Sequence, residues 1–157
     1  METKSARCLI LACGNTTRSD DGVGLFLAEW AEKRFRNHAN VRVVARQQWT
    51  PELAEEIAAA GAVLFVDSSA DSAPGRVRLI PVEAKAGESG AATHHLNAPA
   101  LLGLTQAFYS SRPAHAMLLT VGAGSTEFGE SFSDPVEAAL PRAKGILEKA
   151  VLRFLEG

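Results

Sequence analysis

The sequence predicts a single α/β domain, built on a mostly parallel, twisted five-stranded sheet with one antiparallel edge strand and helices on both faces. Three observations support this prediction. Short apolar runs without alternation are typical of strands that are buried on both faces. Segments with helical spacing of apolar residues lie between them. A chain of 157 residues can bury one proper hydrophobic core. We therefore expect residues 1–157 to form one domain.

The apolar runs predict four strands that run parallel in the sheet. A fifth segment alternates polar and apolar residues, which indicates an edge strand with one face in water. It follows the third strand too closely for a helical crossover, so we expect it to pair antiparallel with a neighbour. The predicted strands are Arg7–Cys13, Val41–Ala45, Ala62–Val66, Arg76–Ile80 and Ala116–Val121.

The helices are predicted from their apolar stripes and their start signals. Thr50 followed by Pro51 is a good helix start, and Ser133-Asp134-Pro135 is another. Pro141 falls inside the last helix, where we expect it to kink the helix or restart it. The predicted helices are Val23 to Phe35, Leu53 to Ala60, Pro99 to Phe108, and Asp134 to at least Val151.

Composition excludes several classes of protein. The formal net charge of -2 gives no basic face for nucleic acid, and the apolar runs are too short to cross a bilayer. The first seven residues lack a secretory signal, so we expect a cytoplasmic protein. Cys8 and Cys13 lie five apart on one strand and should point to opposite faces. We therefore expect neither a disulfide nor a zinc clip from them, but two small core residues.

Acids and histidines follow the predicted strands where ligands of open α/β sheets bind. Asp20 and Asp21 follow the first strand, Asp67 ends the third, and the pair His94-His95 closes a Gly/Ser-rich loop. Two carboxylates and one imidazole suit a divalent transition metal and leave coordination positions open. Such open positions are what a catalytic or substrate-borne metal needs.

Each of these residues also has a structural interpretation. An aspartate at a helix start caps free N–H groups, an aspartate at a strand end can begin a turn, and a loop histidine can simply be solvated. Asp20 as the cap and Asp21 in the crevice would satisfy both interpretations. The glycines at 14, 22 and 24 have the wrong spacing for a dinucleotide loop, and the chain has no G-x-S-x-G motif of a serine hydrolase.

Several motifs in order along the chain resemble those of the hydrogenase maturation protease family. The motifs are Gly14-Asn15, Asp20-Asp21-Gly22-Val23-Gly24, Phe65-Val66-Asp67, Pro74-Gly75-Arg76-Val77, Thr93-His94-His95-Leu96, residues 99–104, and the loop after Val121-Gly122 with Ser133 and Val136. Together they cover most of the chain.

The resemblance implies a function and a set of site residues. Members are cytoplasmic endopeptidases that remove a C-terminal extension from the large subunit of a nickel–iron hydrogenase once nickel has been inserted. By motif position, the catalytic and metal-contacting residues are Asp21, Asp67 and His94, with His95 as the alternative to His94. The implied partner is the large-subunit precursor, which supplies the nickel. No organic cofactor is implied, and we expect a monomer.

The chain departs from the family pattern after the second strand. Many members carry an Asp-Gly-Gly-Thr-like stretch there, and this chain has Ala45-Arg46-Gln47-Gln48-Trp49-Thr50 instead. One acid is therefore missing, and Gln48 becomes a candidate substrate contact beside Asn15 and Asp20. Two other functions remain open on the sequence: a non-catalytic metal-sensing chaperone for the same subunit, and a stand-alone metallopeptidase that binds its own zinc.

Overall fold

The computed structural model describes residues 6–85 and 96–157. The described strands are β1 (Cys8–Cys13), β2 (Val41–Arg46), β3 (Ala62–Ser69), β4 (Val77–Pro81) and β5 (His115–Gly122). The α-helices in the same ranges are α1 (Val23–Arg34), α2 (Leu53–Ala59), α3 (Ala98–Phe108) and α4 (Asp134–Glu156), and a 3₁₀ turn at Ser19–Gly22 precedes α1.

The strands form one five-stranded sheet in the order β2-β1-β3-β5-β4. β1, β2, β3 and β5 are parallel, and β4 pairs antiparallel with β5 at the edge, which confirms the predicted fold class. In the sheet, β2 lies on one side of β1 and β3 lies on the other, so the strand order reverses direction at β1. Such a reversal opens a crevice between the carboxyl ends of β1 and β3, where ligands of this fold class bind.

Two hydrophobic cores cover the two faces of the sheet, as the unbroken apolar strands predict. Residues that alternate along β1 divide between them: Cys8 and Ile10 pack with α1 and α4, whereas Leu9 and Leu11 pack with α2 and α3. Both cysteines are free, and burial raises the pKa of the Cys8 thiol to about 12. No helix of the described ranges is long and apolar enough to cross a membrane.

Two elements differ from the prediction. β3 continues past Val66 to Ser69 because β5 runs beside it and pairs with Asp67, Ser68 and Ser69. The final helix does not restart at Pro141 but runs as one helix from Asp134 to Glu156. Its buried stripe on both sides of the proline outweighs the cost of a proline inside a helix, roughly 3 kcal/mol. The stripe is Val136, Ala139, Leu140, Ala143, Leu147, Ala150 and Val151.

Gly24 in the first turn of α1 sets how closely this helix approaches the sheet. A Cβ atom at this position would lie 2.4 Å from the Cys13 carbonyl oxygen and 3.1 Å from that of Val66. These are the ends of β1 and β3, so the absence of a side chain lets α1 begin directly above the crevice. The contrasting helical glycine is Gly145 in α4, where a Cβ would meet nothing within 4 Å.

Alanine substitutions at these two glycines should have opposite effects on stability. Gly24→Ala should lower the free energy of unfolding by roughly 1–3 kcal/mol, because the added methyl group overlaps rigid backbone. Gly145→Ala should raise it by about 0.5–1 kcal/mol, because alanine is the better helix former and has room there. Urea denaturation of both variants measures the difference, and equal effects would contradict the close approach of α1.

Candidate active site

A cleft of about 200 Å³ lies at the carboxyl ends of β1, β2 and β3 and contains both predicted acids. Larger hollows elsewhere on the described surface include neither Asp21 nor Asp67. The cleft therefore follows from the sheet topology, because it opens where the chain reverses between β1 and β3. It is lined by Cys13, Gly14, Asp21, Gln47, Gln48, Trp49, Asp67, Leu96 and Asn97.

Asp21 reaches the cleft from the 3₁₀ turn and is held by two donors. Its Oδ2 accepts a hydrogen bond from the Asn15 backbone N–H at 3.0 Å, and its Oδ1 accepts one from the Ser68 hydroxyl at 3.0 Å. The side chain makes no capping bond to α1, whose N-terminal cap is Gly22. Gly14 permits this arrangement, because a Cβ there would lie 2.2 Å from the Asp21 carbonyl oxygen.

Asp67 lies on β3 and faces the same cleft. Its Oδ1 accepts a hydrogen bond from the Ser68 backbone N–H at 2.8 Å. Ser68 thus contacts both acids, through its N–H to Asp67 and through its hydroxyl to Asp21. These contacts orient both groups. A carboxylate can accept about four hydrogen bonds or ligands, so the two bonds to Asp21 leave further lone pairs of its oxygens for a ligand.

Cys13 is a cleft residue that the sequence analysis assigned to the core. Burial raises the pKa of its thiol most, and the negative charge of Asp67, a hydrogen bond to Asp67 and the charge of Asp21 raise it further. The group is therefore a neutral S–H that donates to Asp67. The sequence feature that could have identified Cys13 as a cleft residue is its position at the end of the first strand, directly before the acidic turn.

Asp20 has no exposed surface and points away from the cleft, into the loop between β5 and α4. Its Oδ2 accepts hydrogen bonds from the backbone N–H groups of Gly124 (2.7 Å) and Ser125 (2.9 Å) and from the Ser133 hydroxyl (2.6 Å). Its Oδ1 accepts the Ser133 N–H at 2.7 Å. Asp20 thus joins two loops, and its side chain does not cap α1.

The electrostatics of Asp20 agree with this structural role. Burial alone would raise the pKa of the carboxyl, but the hydrogen bonds from Ser133, Ser125 and Gly124 stabilise the charged form more strongly. The pKa of Asp20 therefore lies below its usual range.

The remaining predicted residues occupy different positions. Gln48 is exposed and lines the cleft. The Asn15 side chain is engaged in its own turn, where Oδ1 accepts hydrogen bonds from the Thr17 N–H (2.9 Å) and hydroxyl (2.6 Å). His94 and His95 lie outside the described residues. Within residues 6–85 and 96–157, no group of three His, Cys, Asp or Glu side chains is close enough to hold a metal ion.

Trp49 and Asn97 also line the cleft, and the sequence analysis singled out neither as a site residue. The Trp49 ring is 5% exposed and packs edge-to-face on Phe65 at 5.2 Å between ring centres. Asn97 caps α3 by accepting the Ala100 N–H at 2.9 Å. Helix-capping residues and buried aromatic residues are common, so neither had a sequence signal for a cleft.

Several solved structures with this fold are hydrogenase maturation proteases. The HybD endopeptidase of Escherichia coli is 21% identical, with a TM-score of 0.69 over 94% of this chain and 93% of that one. HybD of Thermococcus kodakarensis is 25% identical, with a TM-score of 0.65 over 92% and 98%. A hydrogenase 2 maturation peptidase from a Thaumarchaeota archaeon is 22% identical, with a TM-score of 0.67 over 92% and 97%.

Sequence comparisons alone find no such relationship. No family model matches the chain, and no curated protein matches it. The structural likeness therefore shows that this chain has the fold of the hydrogenase maturation proteases along nearly its whole length.

Asp20→Asn should destabilise the protein in a pH-dependent manner. An amide in place of the carboxylate turns an N–H₂ group toward backbone donors, which should cost about 1–3 kcal/mol near neutral pH. The folded-state pKa of Asp20 is lowered, so its contribution is present above the unfolded pKa and is lost as pH falls through the folded pKa. Urea denaturation at several pH values should show the two proteins converging in acid.

The matched control is Asp71→Asn, the same change at an exposed aspartate. It should alter stability by less than about 0.5 kcal/mol at every pH. A constant gap between the wild type and Asp20→Asn down to about pH 2 would contradict a lowered pKa at Asp20.

Proposed function

We propose that this protein is an endopeptidase that removes the C-terminal extension of a nickel–iron hydrogenase large-subunit precursor after nickel insertion. One observation carries the proposal: Asp21 and Asp67, from two different strand ends, line a single cleft at the reversal point of the sheet. The fold around that cleft is the fold of solved hydrogenase maturation proteases.

In this proposal the nickel ion belongs to the substrate. Asp21, Asp67 and His94, or His95 in its place, complete the coordination of nickel that the precursor already holds. Carboxylate oxygen and imidazole nitrogen suit such an ion. Ser68 and the Asn15 N–H pre-orient the carboxylates, in the way that partners of metal ligands usually do. The ion then acts as a checkpoint, because a precursor without nickel does not dock productively.

The proposed reaction is hydrolysis of one peptide bond. Water adds to the scissile carbonyl carbon, the C–N bond breaks, and the proton of the water goes to the leaving amine. Metal-assisted polarisation of the carbonyl or activation of the water lowers the barrier. Cys13 is not a suitable nucleophile, because the reactive form is the thiolate and the raised pKa keeps this group as a thiol.

Two further parts of the proposal concern the substrate chain and the state of the enzyme. The exposed amide of Gln48 in the cleft can donate to and accept from a peptide backbone, which makes it the substrate contact in place of the family's missing acid. We propose that the enzyme acts as a cytoplasmic monomer on the precursor, without an organic cofactor.

Cleavage of purified precursor with and without nickel tests the function. The wild type should shorten only the nickel-loaded precursor, as measured by its intact mass. Asp21→Ala, Asp67→Ala and His94→Ala should each slow cleavage by about 100-fold or more, because changes to mere partners of metal ligands already cost 10–100-fold. Asp71→Ala is the control that removes an exposed carboxylate outside the cleft, and it should cleave at the normal rate.

The other outcomes separate the alternatives. Nickel-dependent binding of the precursor without any change in its mass would support a metal-sensing chaperone instead. Stoichiometric zinc in the purified protein, together with nickel-independent cleavage, would support a stand-alone metallopeptidase. Normal trimming by Asp21→Ala and Asp67→Ala would refute the roles that we propose for the acids.

A further inference from the structure

We propose that Phe128 and Arg18 form a docking surface for the folded body of the large-subunit precursor, next to the cleft that receives its C-terminal segment. The inference rests on the proposed function and names where the same substrate is held outside the cleft. It is carried by the exposure of Phe128, by the bonds that fix its loop, and by the connection of that loop to Asp21.

Phe128 is 80% exposed, more than any other large hydrophobic residue of the described ranges. The Arg18 guanidinium lies over its ring, 4.3 Å from the ring centre. Burying an aromatic side chain of this size contributes about 1.5–3 kcal/mol. The Phe128 ring does not make this contribution within the chain, because it stays in water. Aromatic residues and arginine are the types that protein–protein interfaces favour.

The loop that carries Phe128 is fixed in place. Gly129 pairs with the turn before α1: its carbonyl accepts the Ser19 N–H at 2.8 Å, and its N–H donates to the Thr17 carbonyl at 2.9 Å. The Ser19 hydroxyl donates to the Glu127 carbonyl at 2.8 Å. The ring is therefore presented on a pre-organised backbone, which reduces the entropy cost of binding.

The same turn connects Phe128 to the cleft. Arg18, which stacks on the ring, accepts the Asp21 backbone N–H through its carbonyl at 3.0 Å. Between them, Asp20 holds the other end of the loop through Gly124, Ser125 and Ser133. Phe128 and Asp21 are thus connected through one residue, Arg18, so a protein whose C-terminal segment reaches Asp21 has this surface within reach of its folded body.

The occupant that fits is this substrate protein rather than a lipid surface or a second copy of the chain. Exposed Glu127 and Glu130 flank the ring, and these carboxylates oppose anionic headgroups. One ring and one guanidinium offer too little area for a stable dimer, which buries roughly 1,200–2,000 Å², whereas they can anchor a protein that the cleft also holds. On the precursor we expect an apolar hollow for the ring and a carboxylate or carbonyl oxygen for Arg18.

Steady-state cleavage of the nickel-loaded precursor tests the proposal with a matched pair of variants. Phe128→Ala should raise KM by about 10-fold or more with little change in kcat, since a hot-spot aromatic residue contributes to binding and not to chemistry. Phe108→Ala is the control: Phe108 is 74% exposed but ends α3, about 15 Å along the helix from the cleft residue Asn97. It should leave KM unchanged.

A third variant and a melting curve distinguish docking from a structural role. Phe128→Trp retains an aromatic anchor and should restore most of the affinity, and all three variants should melt at the wild-type temperature. An unchanged KM for Phe128→Ala, an equal effect of Phe108→Ala, or a loss confined to kcat would overturn docking while leaving the proposed function intact. Failure of the wild type to cleave the precursor would overturn both.

Discussion

The site depends on one buried carboxylate that joins two loops. Asp20 accepts four hydrogen bonds from the loop between β5 and α4, and it lies in the 3₁₀ turn between β1 and α1. The next residue along the chain is Asp21. Because adjacent residues of a tight turn point in different directions, fixing one side chain in the interior directs the other toward the crevice. The position of Asp21 therefore depends on the hydrogen bonds that its neighbour Asp20 accepts.

The two neighbouring acids show how environment divides one residue type into two roles. Asp20 is enclosed by donors that stabilise its charge, and its pKa is lowered. Asp21 is only partly buried, and its oxygens accept one backbone N–H and one hydroxyl. It therefore retains lone pairs toward the cleft. The first arrangement stabilises the fold, and the second leaves a carboxylate that can bind a ligand.

Patterns of apolar residues predicted the layers of this fold, because burial on both faces requires strands without alternation. The same reasoning predicted that Asp20 or Asp21 lies at one sheet edge with Asp67, since parallel strands end on the same side, and the family resemblance selected Asp21. It did not reveal the partners of Asp20, which lie more than a hundred residues away in a glycine- and serine-rich loop. Such contacts depend on the conformation of a loop, and loops lack the periodic apolar pattern from which helices and strands are predicted.

Cys13 and β3 illustrate a second limit of the sequence. Cys13 is apolar enough to continue a strand pattern, and only its tertiary neighbours Asp67 and Asp21 identify it as a cleft residue. β3 extends to Ser69 because β5 provides pairing partners, although its last residues are polar. The neighbouring strand decides whether a strand continues past its last apolar residue. That neighbour is distant in the sequence, so the local pattern does not predict the strand's end.

The charge of the cleft supports the checkpoint role that we propose for a substrate-borne cation. Among the lining residues of the described ranges, two are carboxylates and none is lysine or arginine. The hydrogen-bond donors to the Asp21 carboxylate are the Asn15 N–H and the Ser68 hydroxyl, and both are neutral. Two like charges in a partly dry cleft repel each other, and an arriving cation relieves that repulsion. Two carboxylates and the proposed His94 still leave coordination positions open. In the proposed function, a metal ion that arrives with ligands of its own on the precursor fills those positions.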